Sequence, residues 1–349
     1  MARILYGVAG EGLGHASRAK AVLEAMRHDV VILSSERAFK YLAKYFPKVR
    51  RIFGFHIIYR NNAVHTTLTV LYNLLRVPLL LCSFLRTLFI ALTFRPNTII
   101  TDYDPFTCYV GLLLRIPVIS ISNQHILNHT SVRYLPNRTW DTFKTHAINS
   151  LFIPSAKEYL ITTFSFGHRT VMNAHLIPPI LRKELQNVKA REGKHILVYQ
   201  TSRSNHELLK LMPQLPYKFI VYGFGERKGT HNVRFKGITR DVEFFNDLAT
   251  CKAVITNGGF SLMSEAVMLG KPVLAEPVKK QFEQVLNGLM LQWEGFGLSV
   301  DKMSKKSLQR FLNALPRHKR RLQSLKRVKR AAGVNEVLRS VERVIRQAS

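Results

Sequence analysis

The run from Gly7 to Val22, GVAGEGLGHASRAKAV, sets Gly10, Gly12 and Gly14 in front of His15 and then opens a helical period on Ala19, Val22, Leu23 and Met26. A strand, a tight glycine turn and a helix N-terminus in that order present backbone N–H groups to an anion, so Gly12 and Gly14 are candidate diphosphate contacts. The spacing departs from the dinucleotide fingerprint: the third glycine comes one residue early and a histidine follows it. Glu36, after the second strand, keeps a ribose-binding acid available. His15 stands where the turn meets the helix, and imidazole is the side chain best suited to take a proton near neutral pH. Asp102 and Asp104, in TDYDPF just past a strand end, could orient His15, act as the base, or bind the acceptor of a transferred group. Asp102-Tyr103-Asp104 also matches D-x-D, a pattern able to chelate a divalent metal. Asn123, Gln124 and His125, after IPVISIS, are further candidates for the acceptor side.

A second constellation lies in ITNGGFSLMSEAVMLGKPVLAEPVKKQFEQVLNG, Ile255 to Gly288. A strand turns at Gly258-Gly259 and opens a helix through Phe260 and Ser261, whose N–H groups and dipole can hold a diphosphate without a metal. That positive potential makes chelation by the D-x-D unnecessary, and no metal is expected. Glu265, one turn further on, is placed to accept from a ribose hydroxyl pair, and Gln281, Glu283 and Gln284 in the next loop can grip sugar hydroxyls. After HILVYQ, Ser202 and Arg203 suit a diphosphate leaving group, since arginine offers forked, charge-assisted donors. Ile238 and Phe244 could flank a nucleobase, with core packing as the alternative.

The elements that must position these residues are visible as short β-branched runs alternating with helical periods: RILYGVA, DVVILSS, NTIITDY and PVISIS, then HILVYQT, KFIVYGF, AVITNGG and KPVLAEP. That alternation predicts parallel sheets with crossover helices. Pro178-Pro179 separates the groups as a linker, which divides the chain into 1–178, 179–330 and a terminal helix, 331–349, with the option of returning to the first lobe. At 349 residues and 46% hydrophobic, the chain can build more than one core. Its 52 Lys+Arg against 22 Asp+Glu, a net charge of +30, exceed what solubility requires and point to an anionic partner. The stretch Thr66 to Phe94 is the most apolar; its unbroken run, Val77 to Leu85, is too short to span a bilayer, and Pro78 divides it into two helices that either pack in a core or lie against lipid. After Asp301 a basic segment carries leucines at helical spacing, either a solvated face or an anion-binding surface. Cys82, Cys108 and Cys251 read as buried thiols of a reducing compartment, and MARILYGVAG lacks signal-peptide features, so a cytoplasmic location is expected.

The G-x-G-x-G-H turn at Gly10 to His15, with the Gly-Gly, Ser-Glu, Gly-Lys-Pro and Glu-Gln-x-x-Asn series from Gly258 to Asn287, resembles nucleotide-sugar glycosyltransferases of the GT-B fold. It is similar in these motifs to MurG-type N-acetylglucosaminyltransferases and monogalactosyldiacylglycerol synthases, and to a set of predicted glycosyltransferases sharing TDYDPF and IPVISISNQHIL. The resemblance implies two doubly wound Rossmann-like lobes facing across a cleft, the acceptor on the first and a UDP-sugar on the second. It further implies an inverting transfer to a lipid-linked or polymer acceptor, Gly258 to Ser261 on phosphate, Glu265 on ribose, and Glu283 with Gln284 on the sugar. Glu283-Gln284 replaces the paired glutamines of MurG-type enzymes, which leaves the donor sugar open. The charge excess would then hold a peripheral enzyme to the anionic inner face of the membrane. An epimerase of UDP-N-acetylglucosamine shares the donor motif and is an alternative. A nucleic-acid-binding protein is less favoured, because no aromatics interleave with the basic run.

Overall fold

The computed structural model describes residues 1–60, 63–132, 139–200, 206–237, 241–328 and 330–348. The strands are β1 Arg3–Val8, β2 Asp29–Ser34, β3 Val49–Arg51, β4 Tyr59–Arg60, β5 Ala63–Val64, β6 Thr98–Asp102, β7 Val118–Ile121, β8 Glu158–Thr162 and β9 Ala174–Ile177, then β10 His195–Tyr199, β11 Lys218–Tyr222, β12 Val233–Lys236, β13 Ala253–Thr256, β14 Val273–Ala275 and β15 Gly297–Ser299. The first seven helices are α1 Leu13–Ala25, α2 Glu36–Leu42, α3 Thr66–Leu75, α4 Val77–Phe94, α5 Pro105–Leu113, α6 Ile126–His129 and α7 Thr139–Phe152. The others are α8 Lys183–Gln186, α9 His206–Leu211, α10 Asp241–Thr250, α11 Phe260–Met268, α12 Phe282–Trp293, α13 Lys305–Asn313, α14 Leu315–Leu322 and α15 Ala332–Ala348.

Contacts divide the chain into two compact lobes, one comprising Met1–Ile58, His65–Arg182 and Ala331–Ser349, the other Tyr59–Val64 and Lys183–Arg330. The first lobe holds a seven-stranded sheet ordered β3-β2-β1-β6-β7-β8-β9 and the second a six-stranded sheet ordered β12-β11-β10-β13-β14-β15. Every pairing within these sheets is parallel, which requires crossover connections and buries both faces under helices. In each sheet the chain winds outward from a central strand and then returns to that strand's other side. The reversal falls between β1 and β6 in the first sheet and between β10 and β13 in the second. Ligands of such sheets bind beyond the strands' carboxyl ends at these reversal points. The register sets Val8 beside Asp102 and Tyr199 beside Thr256, so the Gly10 and Gly258 turns each leave from a reversal point.

The first core gathers Ile4, Tyr6, Val22, Ile32 and Ile119 with four valines of α15, Val334, Val337, Val341 and Val344. The terminal helix thus belongs to the first lobe, while the basic segment before it belongs to the second: Leu308, Phe311, Leu312 and Leu315 enter the second core and leave Arg310, Arg317 and Arg320 exposed. Pro78 lies in the first turn of α4, where its missing N–H has no intrahelical role, and separates α3 from α4. By length and composition α4 could cross a membrane, yet Leu80, Ser83, Thr87 and Ala91 are buried along one stripe and Arg86 interrupts the rest. One expectation is corrected: Cys82 lies on the outward face of α4 and is exposed, because the buried stripe of that helix passes through Ser83 instead. Cys108 and Cys251 are buried, which pushes both thiols up to about 12.

Candidate active site

The first-lobe turn is built from glycines for two different reasons. A Cβ on Gly10 would fall 1.9 Å from Ser35 Oγ, so only glycine lets the turn pass the end of β2, whereas Gly12 has φ +77° and open space around it. Gly12 precedes α1 with no side-chain cap and no acid in the first turn, leaving the helix's opening amides for a ligand. Glu11 turns away to accept the Ile57 amide at 2.7 Å and pair with His56 Nδ1 at 3.0 Å, tying the turn to the segment that leads into α3. Burial raises its carboxyl against the pull of the Ile57 bond and His56.

His15 Nδ1 lies 2.7 Å from Asp102 Oδ1. Asp102 is fully buried, yet the Arg18 guanidinium and His15 outweigh that burial and hold its carboxyl below the usual range. An ionised carboxylate can only accept, so the shared proton sits on Nδ1 and Nε2 carries the lone pair. The imidazole is 18% exposed, which suits a base that must meet substrate. Arg18, one turn along α1, donates from Nε to Asp102 Oδ2 at 2.8 Å and from Nη2 to Oδ1. Between the two aspartates, Tyr103 takes a left-handed φ of 58°, a conformation costing ~1–3 kcal/mol for a residue with a side chain. The strain sets its ring parallel to His15 at 6.3 Å, with its hydroxyl donating to Asn149 Oδ1 at 2.5 Å.

Asp104 has a different place from Asp102. Its Oδ2 accepts from Thr107 N at 2.9 Å and Thr107 Oγ1 at 2.8 Å, capping α5 while almost fully buried. Burial raises its carboxyl to about 6 despite those bonds. Asn123, Gln124 and His125 follow β7, one strand beyond Asp102. His125 is 1% exposed, bonded through Nε2 to Ser120 Oγ at 2.7 Å, and burial holds it neutral by dropping it to about 3.

In the second lobe the Gly258 turn is braced rather than open. Gly258 donates its amide to Gln284 Oε1 at 3.0 Å and accepts from Asn287 Nδ2 at 3.0 Å, while the same Gln284 oxygen takes the Val278 amide at 3.0 Å. A Cβ on Gly258 would lie 2.4 Å from the Gln284 carbonyl oxygen. Gln284 therefore holds the turn in shape, and its Nε2 donates to Gln281 Oε1 at 2.7 Å. Gly259, exposed, precedes α11 with no side-chain cap and no first-turn acid, so the positive end of that helix could receive an anion. Glu265 is buried on the second turn of that helix, and Glu283 is half-buried on the first turn of α12.

The family model described as Glycosyl transferase family 1 matches residues 2–316. The chain belongs to that glycosyltransferase family. An uncharacterized glycosyltransferase of Methanosarcina acetivorans is 25% identical over 345 residues, covering 87% of this chain and 84% of the relative. Among solved structures, Phytolacca americana UGT2 complexed with UDP-2fluoro-glucose and pterostilbene superposes with a TM-score of 0.67 at 14% identity, covering 99% of this chain and 100% of that one. The glycosyltransferase VinC in complex with dTDP gives 0.66 at 13% identity, covering 99% and 100%. The two parallel Rossmann-like sheets are those of the GT-B fold.

In this glycosyltransferase the remaining expected contacts fall as follows. Ser202, Arg203 and Ile238 lie outside the described residues. Phe244 is buried, edge-on to Tyr199 at 5.8 Å, Tyr222 at 5.1 Å and Phe245 at 6.0 Å, the core-packing alternative. The sequence reading missed Arg18, Tyr103 and the bracing role of Gln284. Arg18 had a signal, its three-residue spacing from His15 on one helix face; Tyr103 had one in its place inside D-x-D.

Proposed function

We propose that the glycosyltransferase moves a sugar from a UDP-sugar to a hydroxyl of a lipid-linked acceptor at an anionic membrane surface, with inversion at the anomeric carbon. The observation that carries this reading is the His15–Asp102 pair at the β1/β6 reversal point. His15 Nε2 takes the acceptor hydroxyl proton as the oxygen attacks the anomeric carbon from the face opposite the departing UDP. Asp102 holds the ring and balances the imidazolium as it forms. The α11 N-terminus receives the charge on the diphosphate without a metal, and Glu265 and Glu283 take the ribose and sugar hydroxyls.

The acceptor's chemistry is supported by an exposed apolar surface on the first lobe. Leu71, Leu74 and Leu75 of α3, Leu81, Leu85 and Phe89 of α4, and Leu113, Trp140, Phe143 and Leu151 of α5 and α7 face outward. Helix α4 packs on α5 and α5 on α7, with exposed Arg86, Arg95, Arg115 and Lys144 among them. Soluble monomers rarely leave so many large apolar side chains uncovered together, and basic residues beside anionic headgroups contribute ~1 kcal/mol each.

The test is UDP release from a panel of UDP-sugars, with and without vesicles containing lipid acceptors, in excess EDTA. Release that requires the lipid fraction, persists in EDTA and disappears in His15→Ala supports the reading. Rearrangement of the donor with no acceptor present would show an epimerase instead, and equal flotation with neutral and anionic vesicles would remove the membrane component.

A further inference from the structure

We propose that Arg18 is the positioning residue of the His15–Asp102 pair: its guanidinium fixes the carboxylate and balances its charge, so that Asp102 aims the imidazole without trapping a proton on it. The inference rests on His15 as the base, but it concerns the ring's ionisation, which is measured without any substrate.

A carboxylate alone beside an imidazole does two things at once. It orients the ring by accepting from Nδ1, and its negative charge favours the imidazolium, the form that cannot accept a proton. In a buried site the second effect is strong, because little water screens it. Here Asp102 is fully buried and Arg18 is 5% exposed, so the two charges meet away from solvent. The guanidinium engages both carboxylate oxygens, Nε on Oδ2 at 2.8 Å and Nη2 on the Oδ1 that also receives His15. Nη2 approaches His15 Nδ1 to 3.1 Å. Because Nδ1 already donates to Asp102, that approach is charge proximity, and a cation so placed opposes protonation of the ring. A planar fork meets a carboxylate at both oxygens, which the point charge of a lysine cannot do.

The other groups around the pair are few. From β1, the Tyr6 phenol is buried and neutral, raised by burial and by Asp102. From the loop after β6, Tyr103 stacks on His15, and Asp104 is turned to Thr107. From the start of α6, His125 is neutral. Glu11 on the turn is paired with His56, and Glu36 of α2 with Arg76, while Arg37 of α2 acts on Glu11. The α15 charges Glu342 and Arg343 pair with His28 and Glu158, at the amino ends of the strands and away from Asp102. Arg18 is thus the cation that meets Asp102 directly from α1.

The experiment is long-range ¹H–¹⁵N correlation on the full chain with ¹⁵N-histidine, the His15 signals assigned by their loss in His15→Gln and followed against pH. Arg18→Met should raise the His15 titration midpoint by ~1 pH unit, because the carboxylate is left uncompensated. Asp102→Asn should lower it, because the guanidinium is left facing the ring, and should erase the Nδ1–H tautomer signature. Arg18→Met combined with Asp102→Asn removes both buried charges and should return the midpoint from either displaced value toward that of the unaltered protein. If one single variant does not fold, the other and the uncharged double variant still make the comparison. A folded single variant whose midpoint does not move, or a double variant that keeps a single's displaced midpoint, overturns the proposal. A merely structural Arg18 would lower stability without opposite, cancelling shifts. Loss of transfer activity in His15→Ala, or its absence, bears on the base assignment and not on this result.

Discussion

His15 and Asp104 show how two titratable groups near one turn come to different uses. His15 keeps one ring nitrogen partly open beyond its bond to Asp102, and general-base removal typically costs 10²–10⁴-fold in rate. His15→Ala should therefore lower turnover by roughly that factor while leaving UDP affinity within about two-fold, because the proposed nucleotide contacts are Glu265 and the α11 N-terminus rather than the imidazole. Titration calorimetry with UDP beside the transfer assay checks it, and a large loss of UDP affinity would make His15 a donor ligand instead. Asp104 is committed to capping α5, and burial lifts its carboxyl from the ordinary 3.8 to about 6. Since the folded form holds its proton more tightly than the unfolded chain, the stability from this group is complete below 3.8 and lost as pH rises through about 6. The loss is on the order of 2–3 kcal/mol. Asp104→Asn keeps an oxygen for the Thr107 amide and has no proton to lose. It should therefore gain on the parent protein across that window in urea unfolding, and parallel stability curves would remove the burial argument.

At the scale of elements, the Gly258 turn is held by side chains of α12, which starts beyond the next strand. Gln284 of α12 accepts the buried amides of Gly258 and Val278, so Gln284→Leu leaves two donors unpaired at ~1–3 kcal/mol each. The expected outcome is a lower melting temperature together with weaker binding of UDP itself. A Gln284 that only gripped the sugar would leave stability and UDP affinity intact and weaken the UDP-sugar alone. This bracing could not be read from the chain, because Gln284 stands beside Glu283 in a polar loop where either could contact ligand. The central strands were legible because parallel strands buried on both faces read as near-continuous apolar runs, as ILYGV of β1 and ILVY of β10 do. Strands β3 and β12, VRR and VRFK, escaped notice because they are edge strands whose exposed positions carry charge. Strand β8 was hidden by Glu158, tolerable inside the sheet because Arg343, 185 residues away, and Ser340 bond its carboxylate. Arg18 was hidden in the same way, since an arginine in a helical period reads as a solvated one until Asp102 is placed beside it.

For the whole molecule, the terminal helix decides how the chain is closed. After the second lobe ends at Arg330, α15 returns to the first and contributes Val334, Val337, Val341 and Val344 to its core. Each is worth ~1.5–3 kcal/mol of burial, together comparable to the full stability of a typical domain. The same helix donates Arg343 Nε and Nη2 to Glu158 at 2.8 and 2.7 Å, and Ser340 adds a hydroxyl to that carboxylate. Those bonds overcome partial burial and hold Glu158 below its usual range, so without them a largely buried carboxylate loses its hydrogen-bond donors. Val341→Asp should accordingly unfold the first lobe, as should ending the chain at Arg330. The second lobe, whose core takes nothing from α15, should survive as a protease-resistant fragment beginning near Lys183 that still binds UDP. Limited proteolysis followed by mass spectrometry reads this directly. Loss of both lobes together would show that the second depends on the first, while an intact first lobe without α15 would mean that its seven-stranded sheet and remaining helices suffice.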